Sequence, residues 1–254
     1  MLKSLKSEKL ETLPNIRHAF MTRQGGVSTG LFTSLNAAME KQDRPEDVRE
    51  NRERIAKHIG GDVKNLVTAR QIHSNKVIVV DEPWDHADRL EGDALITTKP
   101  NIIVGVITAD CVPILLADDS AGIVAAVHAG WKGAVSGIIQ NTVDKMVDLG
   151  ATRSNITAGI GPCIWQDSYE VDQQFYQDLS DYSDLFKPSK KADHRMFDLP
   201  NFALRKLTEA GVTSITPSPA DTYSNEQEFF SNRRRFHRDE PHFGCMMSCI
   251  MRTS

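Results

Sequence analysis

Residues 108–134, TADCVPILLADDSAGIVAAVHAGWKGA, decide which fold the sequence predicts. Two runs within this stretch, PILLA and GIVAAVHA, are apolar almost without alternation, as is typical of strands buried on both faces. The intervening DDSA is a turn sequence, so the two runs predict a hairpin. If Ala117 pairs with Gly122, Cys111 lies opposite His128 on one face, within metal-ligand distance. A slip of one residue would place the two side chains on opposite faces.

Further strands and helices are predicted on both sides of this hairpin, and they occur in groups. Helical periodicity and end signals predict helices over 45–61, 133–150, 171–179 and 198–211. Apolar runs predict strands over 76–81, 93–98, 102–108, 155–161 and 214–219. The Pro- and Lys-rich stretch 187–195 predicts an exposed loop. Grouped rather than alternating elements favour an α+β fold with mixed or antiparallel sheets, and residues 1–254 are interpreted as a single domain.

Length and composition restrict the classes of function. The chain has 254 residues, a formal net charge of -4, 40% hydrophobic and 25% charged residues, which predicts a globular protein with a sizeable core. Mild acidity argues against general nucleic-acid binding, which needs a basic surface. The longest apolar run, NIIVGVITA, is far shorter than a membrane span, and the N-terminus has no signal-peptide core. We therefore expect a cytoplasmic protein with no nucleic-acid or membrane partner.

Cys111 and His128, at the open end of the hairpin, allow three interpretations. His73, before another strand, adds a third ligand to Cys111 and His128, and a three-ligand His/Cys/His set is typical of a catalytic zinc site. Alternatively, Cys111 and His128 form a nucleophilic dyad in which the imidazole generates the thiolate. Cys111 is otherwise a buried small hydrophobic residue. Cys163 is a candidate fourth ligand, which would make the site closed and non-catalytic.

The neighbours of these ligands also point to a site. Asp110 lies next to Cys111, and a carboxylate in an apolar turn needs a partner, so it is a candidate acid/base group. The segment HAGWKG follows the second strand at once, and its two glycines allow the backbone to approach a ligand closely. Trp131 in the same segment either stacks on a ligand or packs in the core.

Motifs along nearly the whole chain resemble one family. TADCVPILLAD and AAVHAGWKG, together with HAFMTRQGGVSTGLFTSLN (18–36), RQIHSNKV, EGDALIT, IGPCIWQDSYEV and FFSNRRR, are similar to the laccase-domain family. That family is also named polyphenol oxidase, purine nucleoside phosphorylase or peptidoglycan editing factor. The resemblance implies a layered α+β sandwich, with mixed β-sheets flanked by helices and a deep site between layers.

The resemblance also implies a site and an activity. It makes His73, Cys111 and His128 the metal ligands, for zinc, with copper as the alternative metal. The implied reaction is phosphorolysis of purine nucleosides (adenosine, inosine and methylthioadenosine), with adenosine deamination alongside. The small-molecule partners are then a purine nucleoside and phosphate, and the candidate substrate-binding residues are Arg23, Asn36, Arg233 and Arg234. Arg23 is the first choice for phosphate, because the adjacent glycines can expose backbone N–H groups.

Two other activities remain open. A Cys–His hydrolase or amidase, linked to peptidoglycan editing, would use Cys111 and His128 without a metal. A copper-dependent polyphenol oxidase would use the same two residues with His73, since blue-copper sites have a His2Cys set. The chain holds only 8 histidines, too few for the several coppers of a multicopper oxidase. At two positions near the C-terminus, Asp221 and Cys245, the chain departs from the residues usual in the family.

Overall fold

The computed structural model describes residues 2–39 and 42–253. Seven α-helices are described: α1 (Glu8–Glu11), α2 (Pro45–His58), α3 (Trp131–Val135), α4 (Ile138–Asp148), α5 (Gln173–Asp178), α6 (Leu199–Glu209) and α7 (Asn232–His237). The strands are β1 (Ser4–Leu5), β2 (Ile16–Met21), β3 (Leu66–Val67), β4 (Val77–Val79), β5 (Ala94–Thr97), β6 (Ile103–Thr108), β7 (Val112–Asp118), β8 (Ile123–Ala129), β9 (Thr157–Ile160), β10 (Glu170–Asp172), β11 (Phe186–Pro188), β12 (His194–Phe197), β13 (Ser214–Pro217) and β14 (Met246–Arg252).

The strands form two large sheets and one small sheet. A five-stranded sheet has the order β1-β2-β14-β6-β3, a six-stranded sheet has the order β13-β9-β7-β8-β5-β4, and β10-β12-β11 form the third. Both large sheets are mixed, because β3 and β6 run parallel in one sheet while β4–β5 and β9–β13 run parallel in the other. The fold is α+β with mixed sheets, as the sequence predicts.

Three apolar clusters hold the layers together. One cluster joins the two large sheets, through side chains such as Val104, Leu115 and Ala126. A second packs the outer face of the six-stranded sheet on α4 and α6, and a third packs the outer face of the five-stranded sheet on α2. The layers are therefore helix, sheet, sheet and helix. The strands β7 and β8 are buried on both faces, which explains their continuous apolar sequence.

The β7–β8 hairpin exists, but its register differs from the expected one by two residues. Ala117 pairs with Val124, not with Gly122, and Pro113 rather than Cys111 lies opposite His128. The turn keeps its expected length but lies one residue later in the sequence, at 119–122, because Asp118 pairs with Ile123 and closes the ladder. A shift of two residues preserves the face of every side chain, since side chains alternate with period 2. Cys111 thus stays on the face of His128, as its diagonal neighbour.

Three other sequence predictions were wrong in detail. The helix predicted over 133–150 is divided into α3 and α4 at Gly137, which has a left-handed φ of 97°. The loop predicted over 187–195 holds the end of β11 and the start of β12, so only its middle is a turn. The predicted helix over 171–179 is shorter, because β10 occupies its first residues. The α2 and α6 predictions are confirmed within a few residues.

Candidate metal centre

Three ligand-type side chains meet where β7 begins and β8 ends. The nearest donor atoms of His73, Cys111 and His128 all lie within 4.8 Å of one another. His73 Nε2 is 3.9 Å from Cys111 Sγ, and the two imidazole rings meet edge-to-face with centroids 4.8 Å apart. His128 is buried, whereas His73 is exposed, so the group has a closed side and an open side. Within residues 2–39 and 42–253 this is the only group of three or more His, Cys, Asp and Glu side chains that could hold a metal ion.

A buried carboxylate that the sequence analysis left without a role holds two of the three ligands. Asp93, immediately before β5, is fully buried, and its Oδ1 lies 2.8 Å from His128 Nδ1. A carboxylate only accepts hydrogen bonds, so Nδ1 donates and Nε2 is left for the site. The same Oδ1 accepts the backbone N–H of His73 at 2.9 Å, and Oδ2 accepts Ser74 N and Oγ at 2.7 Å each. The sequence signal was a carboxylate at the head of an apolar strand.

The backbone around the ligands is shaped to bring them together. His73 has a φ of 58° and Asp110 a φ of 91°, values that non-glycine residues rarely adopt. Such conformations persist only where the surroundings enforce them, and they cluster at functional sites. Gly130 follows β8 on the ligand face, and a Cβ there would lie 2.8 Å from His73 Cδ2 and 3.0 Å from Cys111 Sγ. This glycine therefore leaves the room that the His73 and Cys111 side chains occupy.

The electrostatics of the group favour an ionised thiol. Burial opposes ionisation of Cys111, but His128 and His73 lower the pKa of its thiol to about 6. Burial likewise opposes protonation of His128, but the Cys111 thiolate and Asp93 raise the pKa of its imidazole to about 9. For Asp93, burial raises the pKa, yet the hydrogen bonds from His128 and Ser74 bring it down to about 2. The thiolate is the form that ligates metals and acts as a nucleophile.

Asp110, the candidate acid/base group, has both carboxylate oxygens engaged. Oδ1 accepts the Thr222 hydroxyl at 2.7 Å, while Oδ2 accepts the Ser231 hydroxyl at 2.9 Å and the Arg233 backbone N–H at 2.6 Å. Burial raises the pKa of Asp110, and these three hydrogen bonds oppose the rise. The side chain thereby ties the loop before β7 to the start of α7.

Two cavities open from the ligands. The first, about 430 Å³, is lined by His73, Cys111 and Trp131 among others, and we call it the metal cavity. The second, about 330 Å³, is lined by all three ligands. Trp131 is half-buried and packs its ring edge-to-face on Phe175 at 4.8 Å, so it both packs against the core and lines the metal cavity.

The two C-terminal candidate arginines face different surroundings. Arg233 lines the metal cavity, and its Nη1 donates to the Glu170 carbonyl at 2.7 Å while the guanidinium lies 5.1 Å from the centre of the Tyr169 ring. Arg234 is buried, and its guanidinium donates to the carbonyls of Thr222, Tyr223 and Phe229. One arginine of the pair therefore faces the ligands, and its neighbour holds the chain before α7.

The two N-terminal candidates do not line the metal cavity. Arg23 Nε donates to the Thr33 carbonyl at 2.7 Å, and the guanidinium covers the Phe230 ring at 4.3 Å, beside a different cavity. Asn36 is fully buried, where its Oδ1 accepts the backbone N–H of Cys245 at 2.9 Å and its Nδ2 donates to Asp43 Oδ2 at 2.9 Å. Neither residue is among those the structure gathers around His73, Cys111 and His128.

Comparison with known proteins identifies the family. The sequence family described as "Multi-copper polyphenol oxidoreductase laccase" matches residues 17–253. The chain belongs to this laccase family. A purine nucleoside phosphorylase of Rickettsia conorii is 40% identical over 210 residues, which cover 81% of this chain and 85% of the relative. One of Deinococcus radiodurans is 37% identical over 232 residues, covering 87% of this chain and 85% of the relative.

A solved structure has the same fold. YlmD from Geobacillus stearothermophilus superimposes with a TM-score of 0.87 at 29% identity, covering 95% of this chain and 93% of that one. The family description names several coppers, whereas the described part of this chain gathers a single three-ligand group. None of the described helices is long and apolar enough to cross a membrane.

The two departures from the family pattern and the remaining cysteine candidate lie in three different surroundings. Asp221 accepts the Ser168 hydroxyl at 2.6 Å and the Trp165 backbone N–H at 3.2 Å. Cys245 is buried beside Asn36 and also lines the second cavity. Cys163 is fully buried in the apolar cluster on the helical side, and burial raises the pKa of its thiol well above the ordinary value. It is not part of the metal-ligand group.

Proposed function

We propose that this protein is a zinc-dependent purine nucleoside phosphorylase that acts on adenosine, inosine and methylthioadenosine. The observation that carries the proposal is the open three-donor group, His73, Cys111 and His128, on the wall of the metal cavity. Relatives named purine nucleoside phosphorylase, at 40% and 37% identity, support this reaction over others. We further propose that the same site deaminates adenosine.

The donor set suits zinc. One thiolate and two imidazoles are ligands that zinc takes in proteins, and three protein ligands leave one coordination position for chemistry. The lowered pKa of Cys111, about 6, supplies the thiolate at neutral pH. Zinc bound by these three residues would supply Lewis acidity between the metal cavity and the second cavity, both of which His73 and Cys111 line. Copper binds most such sites more strongly than zinc, and we interpret a copper-bound form as the basis of any polyphenol oxidation.

The protein side chains around the group have distinct tasks in the proposed reaction. Asp93 holds the proton on His128 Nδ1, which keeps Nε2 pointed at the site. Arg233 presents a guanidinium to the metal cavity, and such a fork matches two phosphate oxygens. Trp131 offers an aromatic wall on which a purine stacks. Asp110 is proposed to position Arg233 through its backbone N–H rather than to transfer a proton.

A second function has its own supporting observation. In this alternative Cys111 is the nucleophile, His128 is the base, and Asp93 is the carboxylate that orients the His128 ring. The pKa of the Cys111 thiol is lowered to about 6, and the pKa of the His128 imidazole is raised to about 9. This arrangement suits a Cys–His hydrolase or amidase acting on a cell-wall peptide without a metal. His73 would then have no required part in the chemistry.

Chromatography of adenosine incubated with the protein distinguishes these functions. With zinc and phosphate we expect adenine and ribose 1-phosphate, and inosine appears without phosphate if deamination accompanies the reaction. Removing the metal with a chelator should abolish both products, and zinc should restore them, whereas a Cys–His hydrolase keeps its activity without metal and loses it on thiol alkylation. Cys163→Ser is the matched control, because that thiol lies outside the ligand group. Phosphorolysis that persists in metal-free protein would contradict the proposal.

A further inference from the structure

A third cavity, distinct from the two that open from the ligands, adjoins the metal cavity. It has a volume of about 460 Å³ and shares Trp131, Tyr169, Asn232 and Arg233 with the metal cavity. We call it the annex. Arg235 also lines it and does not line the metal cavity. Because the two cavities share these lining residues, a ligand bound beside His73 and Cys111 can extend past Arg233 into the annex.

The carboxylates of the annex are already engaged. Glu170 Oε2 pairs with Lys191 Nζ at 2.6 Å, and Oε1 accepts the Ser189 hydroxyl. Asp172 Oδ1 accepts the Phe175 backbone N–H at 2.8 Å and caps the start of α5. Neither carboxylate forms an ion pair with Arg233 or Arg235.

Among the described residues, the two arginines of the annex have no acidic partner. Arg233 Nη1 donates to the Glu170 carbonyl at 2.7 Å, and Arg235 contacts the Asn232 side-chain oxygen through Nε and Nη2 at 3.3 and 3.2 Å. Neither guanidinium is in any ion pair with the described residues, whereas Arg238 on the same short helix end pairs with both oxygens of Glu226. A neutral oxygen leaves the positive charge of a guanidinium uncompensated, so both arginines remain available to an anion.

We propose that the annex is a subsite for a phosphate group, held by Arg233 and Arg235. This inference rests on the proposed function, which places a nucleoside in the adjoining metal cavity. Guanidinium forks match phosphate oxygens in pairs, and two forks that line one cavity suit a tetrahedral dianion better than a single carboxylate. The phosphate group comes either from free phosphate, the co-substrate, or from a nucleoside esterified at its 5′ oxygen. Both sources present the same chemistry to the arginines.

Equilibrium binding tests the subsite independently of turnover. Calorimetric titrations of zinc-loaded protein with inorganic phosphate, 5′-AMP and adenosine are compared between the wild type and Arg235→Gln. We expect Arg235→Gln to bind the phosphate ligand that uses the annex about tenfold more weakly, because the variant loses a charge-assisted hydrogen bond. Adenosine should bind to the variant and to the wild type with equal affinity. A loss for inorganic phosphate identifies the co-substrate as the source, and a loss for 5′-AMP alone identifies the ester.

The controls separate a local effect from damage to the fold. Arg238→Gln removes a guanidinium of the same segment that pairs with Glu226 outside the annex, and should change none of the three affinities. Arg235→Lys keeps the charge but loses the fork, and should fall between the wild type and Arg235→Gln. Unchanged affinity for both phosphate ligands in Arg235→Gln, or an equal loss for adenosine, overturns the subsite. If adenosine does not bind at all while the phosphate ligands depend on Arg235, the subsite stands and the proposed nucleoside activity fails.

Discussion

At the scale of single residues, one buried carboxylate organises the candidate metal centre. Asp93 contacts the His128 ring, the His73 backbone and Ser74 with its two oxygens. The cost of burying an isolated carboxylate is high unless hydrogen bonds compensate it, and four of the bonds to Asp93 are 2.9 Å or shorter. The residue therefore supports the ligands without belonging to them, as the outer partners of metal-bound histidines do.

Asp93→Asn should weaken zinc binding by about 10–100-fold, the usual effect of losing an outer partner of a metal ligand. The amide nearly keeps the shape of the carboxylate but loses its charge and half of its acceptor capacity. Zinc affinity measured by competition with a chromophoric chelator tests this. Asp118→Asn is the matched control, since that carboxylate is also buried but lies at the turn end of the hairpin, where it accepts Ser120 and Thr152. Equal zinc affinity in wild type and Asp93→Asn would contradict the role.

At the scale of elements, the hairpin β7–β8 and the helix that follows it deliver the ligands. Both strands are buried on both faces, so they form a rigid support for Cys111 and His128. The chain then enters α3 at Trp131 and turns at Gly137 before α4. This break lets α3 stay beside the site while α4 packs along the sheet.

Gly137→Ala should lower the free energy of unfolding by about 1–2 kcal/mol, the usual cost of a left-handed conformation for a residue with a Cβ. The φ of 97° is the reason for the cost, because the nearest atom to an added Cβ is Asn141 Oδ1 at 3.9 Å, an ordinary contact distance. Chemical denaturation measures the change. Gly137→Asn should cost less, since asparagine tolerates this region, and zinc affinity should be unchanged in both. An alanine variant as stable as the wild type would refute the strain.

At the scale of the whole molecule, the packing of β2 against the N-terminal segment makes the fold sensitive to acid. His18 on β2 is buried, and its Nε2 accepts the Ser7 backbone N–H at 2.8 Å, which requires the neutral ring. Burial, and then the charge of Lys6, lower the pKa of His18 from its ordinary 6.5 to about 3. A group with a lowered pKa in the folded state is protonated first in the unfolded chain, so acid favours unfolding.

Stability should therefore fall as the pH drops from 6.5 towards 3, with His18 contributing about 1.4 kcal/mol per pH unit at most. Above pH 6.5 this contribution is constant. Urea denaturation at several pH values, with metal removed, measures the slope for the wild type and for His18→Gln, whose amide oxygen can still accept from Ser7. The variant should show the shallower slope over that window. Parallel slopes in the two proteins would exclude His18 as the source.

The sequence by itself determined the α+β class, the β7–β8 hairpin and the three residues that the structure brings together. Apolar runs without alternation mark buried strands, and period 2 kept Cys111 and His128 on one face even though the expected register was two residues off. The family was predicted from its motifs, and the match over residues 17–253 confirms it. Local pattern carries this information because strand burial and turn chemistry depend on neighbouring residues.

Only the tertiary structure decided which polar residues face the ligands. Asp93 holds the ligands, Arg233 and Arg235 line the cavities, and Arg234 and Asn36 are buried elsewhere, although sequence placed Arg233 and Arg234 side by side. Such a difference depends on the direction in which one short helix presents successive side chains. That direction is set by the Asp110 carboxylate, which accepts the Ser231 hydroxyl and the Arg233 backbone N–H. These contacts join residues more than 100 positions apart in the chain.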